Sequence, residues 1–184
     1  MKSLTSLLLT LALFALFTYV RSLQTPPSQP ATLGAANPTI APRIKTTECV
    51  AQNGLPDHAC TPGAIFPEVT KDQICVPGYS KQVRNVPTEL KNEVFAEYGI
   101  ASHQPGEYEV DHLISLELGG SNDIANLWPE VAEPRPGFHE KDTVENFLHN
   151  QVCNGTLTLQ DAQSQIASHW VSVYQSLNTK PLGQ

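Results

Sequence analysis

The chain predicts an α+β fold: a small disulfide-braced domain with a strand–turn–strand–helix centre and flanking helices. Three observations predict it. Tyr108 to Leu118 alternates as a strand does and runs into Gly119-Gly120, which supplies a turn. After His139 and again after Leu159, apolar residues recur at helical spacing. Four cysteines, Cys49, Cys60, Cys75 and Cys153, follow an apolar leader, a combination expected of a disulfide framework in an oxidising compartment.

In chain order, residues 1–22 read as a signal peptide: Lys2, an apolar run from Leu7 to Phe17, then Val20-Arg21-Ser22. The competing reading is an uncleaved anchor, because Leu4 to Val20 approaches the roughly 17–25 residues that span a bilayer. Either way the remainder is expected to be secreted or periplasmic. Residues 23–47 hold five prolines and little apolar content, so a flexible linker is expected there. Residues 48–176 form the domain, and 177–184 a tail.

Residues 48–87, rich in Pro, Gly and Cys, read as loops with short extended pieces. Thr88 caps a helix carrying Leu90, Val94, Phe95 and Tyr98, which Gly99 ends. Asp123 to Trp128 is a short second strand or turn. The stretch from Asn126 to His139 contains Pro129, Pro134, Pro136 and Gly137 and reads as an irregular surface loop. A helix from His139 to Cys153 stops at Asn154-Gly155. Asn154-Gly155-Thr156 also has the pattern of a glycosylation sequon, but the helix stop is the preferred reading. Thr158 caps the last helix, from Leu159 to about Tyr174. Of three possible cysteine pairings, Cys49–Cys60 as a local loop and Cys75–Cys153 as a long-range tie are favoured. A zinc site is disfavoured because no Cys-x-x-Cys occurs.

The full chain has 11 basic and 18 acidic residues. Lys2 and Arg21 lie in the leader, which leaves nine basic residues in the mature chain, for a net charge of about −9. This excludes a protein that coats nucleic acid through a basic surface. It leaves open an enzyme with a local basic patch. Lys81 and Arg84 are candidate phosphate contacts, and Lys141 lies beside the proposed site in the chain.

The chemistry-bearing stretch is Glu109-Val-Asp-His-Leu-Ile-Ser-Leu-Glu-Leu-Gly-Gly-Ser-Asn-Asp-Ile-Ala-Asn-Leu-Trp-Pro-Glu130. Asp111 offers hard carboxylate oxygens to a divalent cation. His112, neutral near pH 7, can take a proton from water. Neighbouring strand residues point to opposite faces, so the strand must end or bend for both to share a site. Asn126 is placed to orient the His112 ring and fix its tautomer. At about 100° per residue, His139, Asp142, Thr143, Asn146 and Asn150 share one helix face, opposite the packing side of Val144, Phe147, Leu148 and Val152. His139 is the favoured metal ligand on that face, with Asn146 in reserve. His149 and His169 read as structural or solvent-facing, and His58 and His103 as loop residues.

Asp111-His112, Gly119-Gly120 and Asn126-Leu127 resemble, in order and spacing, the run of the HNH nucleases. Those enzymes surround one divalent ion with a ββα-metal motif. The resemblance covers about 40 residues closely, and a looser likeness to small exported bacterial HNH-like proteins covers roughly residues 49–174. It implies metal binding by Asp111 and His139, with His112 as base and Asn126 as orienting residue. It also implies one divalent ion (Mg2+, with Mn2+, Ni2+ or Zn2+ as alternatives) and a nucleic-acid substrate, DNA or else RNA. The chain departs from the family in the long stretch before His139 and in lacking the bracing Cys-x-x-Cys. The function so implied is an exported metal-dependent endonuclease of low sequence specificity. Its rival is a non-catalytic exported binding or envelope protein on the same scaffold.

Overall fold

A computed structural model describes residues 41–179. The expected leader, most of the linker and the end of the tail lie outside them. In order, the elements are α1 (Lys71–Ile74), α2 (Tyr79–Val83), α3 (Thr88–Glu97), β1 (Tyr108–His112), β2 (Leu127–Val131), α4 (Phe138–Cys153) and α5 (Leu159–Thr179), with 3-10 turns at Leu116–Leu118 and Ile124–Asn126. The fold is α+β as expected. Among the described residues, no helix is long and apolar enough to cross a membrane.

β1 and β2 pair antiparallel, with Asp111 opposite Trp128 and His112 opposite Leu127. Alternation along each strand sends the two faces to different partners. Val110 and Leu127 pack under α3 with Val94, whereas Trp128 joins the main core. That core is built on Val144, Leu148 and Val152 of α4 and Ala162, Ile166 and Trp170 of α5. These residues recur at helical spacing, so each helix buries one stripe. Trp170 also donates its indole N–H to the Gly54 carbonyl at 2.6 Å, tying the last helix to the first loop.

Two disulfides brace the domain, Cys49–Cys60 and Cys75–Cys153, the favoured pairing. They fit an oxidising compartment. The second joins the end of α1 to the end of α4. Asn154 caps α4 and Gly155 follows at φ +83°, a left-handed stop that glycine adopts without strain. Asn154 Oδ1 accepts from the Thr156 N–H at 2.9 Å, so the sequon residues serve as the helix stop.

Several sequence expectations are corrected. The strand begun at Tyr108 ends at His112 instead of Leu118. Ser115 caps a 3-10 turn there by accepting from Glu117 N–H, which diverts the backbone from the ladder. Pro129 stands inside β2 rather than in a loop. A two-stranded sheet has only edges, where a missing N–H is tolerated. Thr88 is the first residue of α3, and Pro87 occupies the cap position. α5 continues to Thr179. Residues 43–45, expected in the linker, are held by the domain: Arg43 pairs with Glu97 and Lys45 with Asp57. The ordered domain therefore begins before residue 48.

Candidate functional site

The site lies where the end of β1 meets the first turns of α4. His112 is buried, 1% exposed. Its Nε2 is 3.2 Å from Asn122 Oδ1. That amide's orientation follows from its other partners: Nδ2 donates to the Val83 carbonyl at 2.7 Å, and Oδ1 accepts from Asn85 N–H at 3.0 Å. Because Oδ1 can only accept, Nε2 carries the ring proton. Nδ1 keeps its lone pair, buried and without a hydrogen-bond partner. Burial pulls the imidazole down to about 4, against the opposing pull of Asp111 and the Asn122 bond. The ring is therefore neutral across the physiological range, with one acceptor nitrogen.

Asp111 faces the other side of the strand, toward α4. Its Oδ2 accepts from Lys141 Nζ at 2.6 Å. The same ammonium donates to the His112 carbonyl at 2.8 Å and to Glu145 Oε1 at 2.5 Å. Glu130 lies 3.9 Å away. Lys141 is fully buried, and all three of its protons are engaged. Burial pushes the Asp111 carboxyl up, but the Lys141 charge outweighs it and leaves the group below its ordinary range. Lys141 is the converse: burial disfavours its charge, and the surrounding carboxylates raise it well above the usual lysine range. Burial lifts Glu130 well above the carboxylate range and Glu145 to about 7. Neither Glu130 oxygen has a hydrogen-bond partner.

Asn126 does not reach the imidazole. Its Nδ2 donates to the Ile114 and Ser121 carbonyls, each at 2.9 Å, and its Oδ1 accepts from Ile114 N–H at 2.9 Å and Ala64 N–H at 3.4 Å. Both amide protons and both oxygen lone pairs are thus used on backbone. Asn126 clasps the loop between the strands, and Asn122 orients His112. Gly120 belongs to the same clasp. A Cβ there would lie 1.7 Å from the Ile114 oxygen and 2.9 Å from Asn126 Nδ2. The Gly-Gly…Asn spacing is therefore accounted for by loop closure. Asn126→Ala would strand these buried backbone groups, each costing about 1–3 kcal/mol. We expect a loss of about 3 kcal/mol in urea unfolding, with the loop amides gaining hydrogen exchange first.

His139 is likewise not brought to Asp111. It is exposed in the first turn of α4, its ring 4.3 Å from that of Phe138. Asp142, Thr143, Asn146 and Asn150 are exposed with it, so the polar face points to solvent. Lys141 sits instead on the buried stripe with Val144 and Leu148. That i, i+3, i+7 spacing was the signal for it, together with Glu145 one turn on. The donors therefore do not fit a divalent ion held between Asp111 and His139. Asp111 is already paired with a buried ammonium, and His139 is exposed, two residues or about 200° of helical turn from Lys141.

Among the described residues, one group has ligand atoms close enough to hold an ion: Cys75, His149 and Cys153. Cys75 and Cys153 are joined as a disulfide, so neither offers a thiolate. His149 Nε2 rests 3.1 Å from the Ile74 carbonyl and 3.4 Å from Cys153 Sγ, a structural position.

Of the candidate phosphate contacts, exposed Arg84 comes within electrostatic reach of His112 and Glu109. Lys81 is exposed on α2. Lys141 is interior and out of a substrate's reach. Comparison with family models, curated proteins and solved structures gives no match.

Proposed function

We propose that this domain is an exported hydrolase of nucleic-acid phosphodiester bonds, DNA or RNA, with His112 as its general base. The HNH resemblance and the strand–loop–strand–helix order agree with this reading. One observation carries it: the neutral His112 ring, its proton held on Nε2 by Asn122 and its Nδ1 lone pair unsatisfied in the interior. Such an orphan acceptor costs about 1–3 kcal/mol. A buried polar group left unpaired calls for a functional explanation. In this reading Nδ1, closed to solvent in this structure, is uncovered as substrate binds and takes the proton of the attacking water, while Asp111 stays paired with Lys141 on the other face of the strand. Arg84, exposed and within electrostatic reach of the His112 ring, binds the phosphate. No base-reading surface is implied, so sequence specificity is low.

The test is cleavage of plasmid DNA and of RNA by the purified chain, with Mg2+, Mn2+ or Zn2+ and with EDTA. His112→Ala is expected to lower cleavage by roughly 100-fold or more, the usual contribution of a general base. Because a base works only deprotonated, the rate should rise through a pH of about 4 and level off above it. Full activity in His112→Ala rules out the base assignment, and no cleavage in any condition rules out the hydrolase.

A second reading, a non-catalytic exported binding or envelope protein, is favoured by the burial of His112, by the pairing of Asp111 with Lys141 and by the chain's net charge of −7. It predicts the absence of cleavage in every one of those conditions.

A further inference from the structure

The catalytic consequence of Lys141 rests on the hydrolase reading, but its place in the geometry does not. We propose that its buried ammonium is the resident cation of this site. It holds Asp111 on the face of β1 opposite the His112 ring, in the place the HNH resemblance would give a divalent ion, so the site needs no bound metal.

Four observations carry this. Lys141 is fully buried, although an unpaired buried lysine would be unstable. Its three protons go to Asp111, Glu145 and the His112 carbonyl, all between 2.5 and 2.8 Å, with Glu130 completing an acidic shell at 3.9 Å. These groups are oxygen donors of the kind a hard dication takes, but a lysine stem anchored in the core stripe of α4 already fills their centre. A dication brought beside that ammonium would meet like-charge repulsion in a poorly screened interior.

The chemistry explains why an ammonium serves. It neutralises Asp111 and fixes the backbone at His112 through the carbonyl bond, so the imidazole is set from both sides, by Lys141 at the backbone and by Asn122 at the ring. All its protons are engaged, so Lys141 does not touch substrate and is a positioning residue. The cation comes with the chain and is independent of metal supply.

The experiment measures Mn2+ uptake by EPR on the full chain after EDTA dialysis, for wild type, Asp111→Asn, Lys141→Met and Lys141→Met/Asp111→Asn. Wild type and Asp111→Asn are expected to bind Mn2+ equally weakly. Lys141→Met vacates the centre of an oxygen cage and should bind Mn2+ at least about tenfold more tightly than wild type. The added Asp111→Asn should remove that gain. Stoichiometric Mn2+ on wild type, lost in Asp111→Asn, overturns the proposal, and so does a folded Lys141→Met with no gain. If Lys141→Met does not fold, the wild-type and Asp111→Asn pair decides alone.

Where wild type cleaves nucleic acid, its rate in EDTA should stay within about twofold of its rate with metal. Loss in EDTA restored by Mn2+ overturns the metal-free site while leaving the hydrolase intact. Absence of all cleavage defeats the hydrolase reading, and the Mn2+ measurement still decides the place of Lys141.

Discussion

Lys141→Met is expected to destabilise the domain by about 3–5 kcal/mol, the range for removing one partner of a buried ion pair. The loss comes less from the missing attraction than from what stays behind. Asp111 and Glu145 keep their oxygens in the interior with no countercharge, and the His112 carbonyl loses a donor. Methionine matches the stem in length, so little cavity is created. The pH dependence identifies the cause. Without the ammonium, the folded-state pKa values of Asp111 and Glu145 lie above their unfolded values. Such groups contribute stability that is present at low pH and lost as pH rises through the folded pKa. The deficit relative to wild type should therefore be smallest near pH 4 and grow toward pH 8. Urea denaturation across that range measures it, and a deficit that does not change with pH would point to packing instead.

Opening the Cys75–Cys153 disulfide should cost about 4.5 kcal/mol in the chain-entropy account, because it closes a separation of 78 residues. Cys49–Cys60, with a separation of 11, should cost only about 3 kcal/mol. The paired Cys→Ala variants, unfolded in urea at one pH, give the comparison directly. The long tie pins the end of α4, the helix that delivers Lys141 to Asp111, so its loss should also loosen the site. If the short loop proved the costlier one, local strain or residual structure in the unfolded chain, not loop closure, would govern the stability of this domain.

The two disulfides, the helices α3 to α5 and the turn at Gly119-Gly120 were legible in the sequence, because each rests on local chemistry. Helical spacing, a Thr158 cap whose hydroxyl accepts from Asp161 N–H and a glycine stop act within a few residues. Asp111-His112 and the Gly-Gly…Asn run were legible as a unit, but not the work each residue does. Asn126 reads equally well as an orienting residue and as a loop clasp. The difference is whether its four hydrogen-bonding positions meet an imidazole or the backbone of Ile114, Ser121 and Ala64. Asn122 carries no periodic signal and finds His112 only because the loop after Gly120 folds against the segment at Val83 and Asn85.

Helix phase decided the rest. From sequence alone, His139 and Lys141 both stand in the first turn of α4, and a polar face with a histidine is the natural choice for a site. Packing turned Val144, Leu148 and Val152 inward, and the same rotation carried Lys141 in and His139 out. So the sequence by itself determined the fold class and the three longer helices with their order, and it favoured the cysteine pairing that the structure shows. Only the tertiary structure decided which cation faces Asp111. That choice depends on how α4 is rotated against the hairpin, a property of the whole core and not of any one segment.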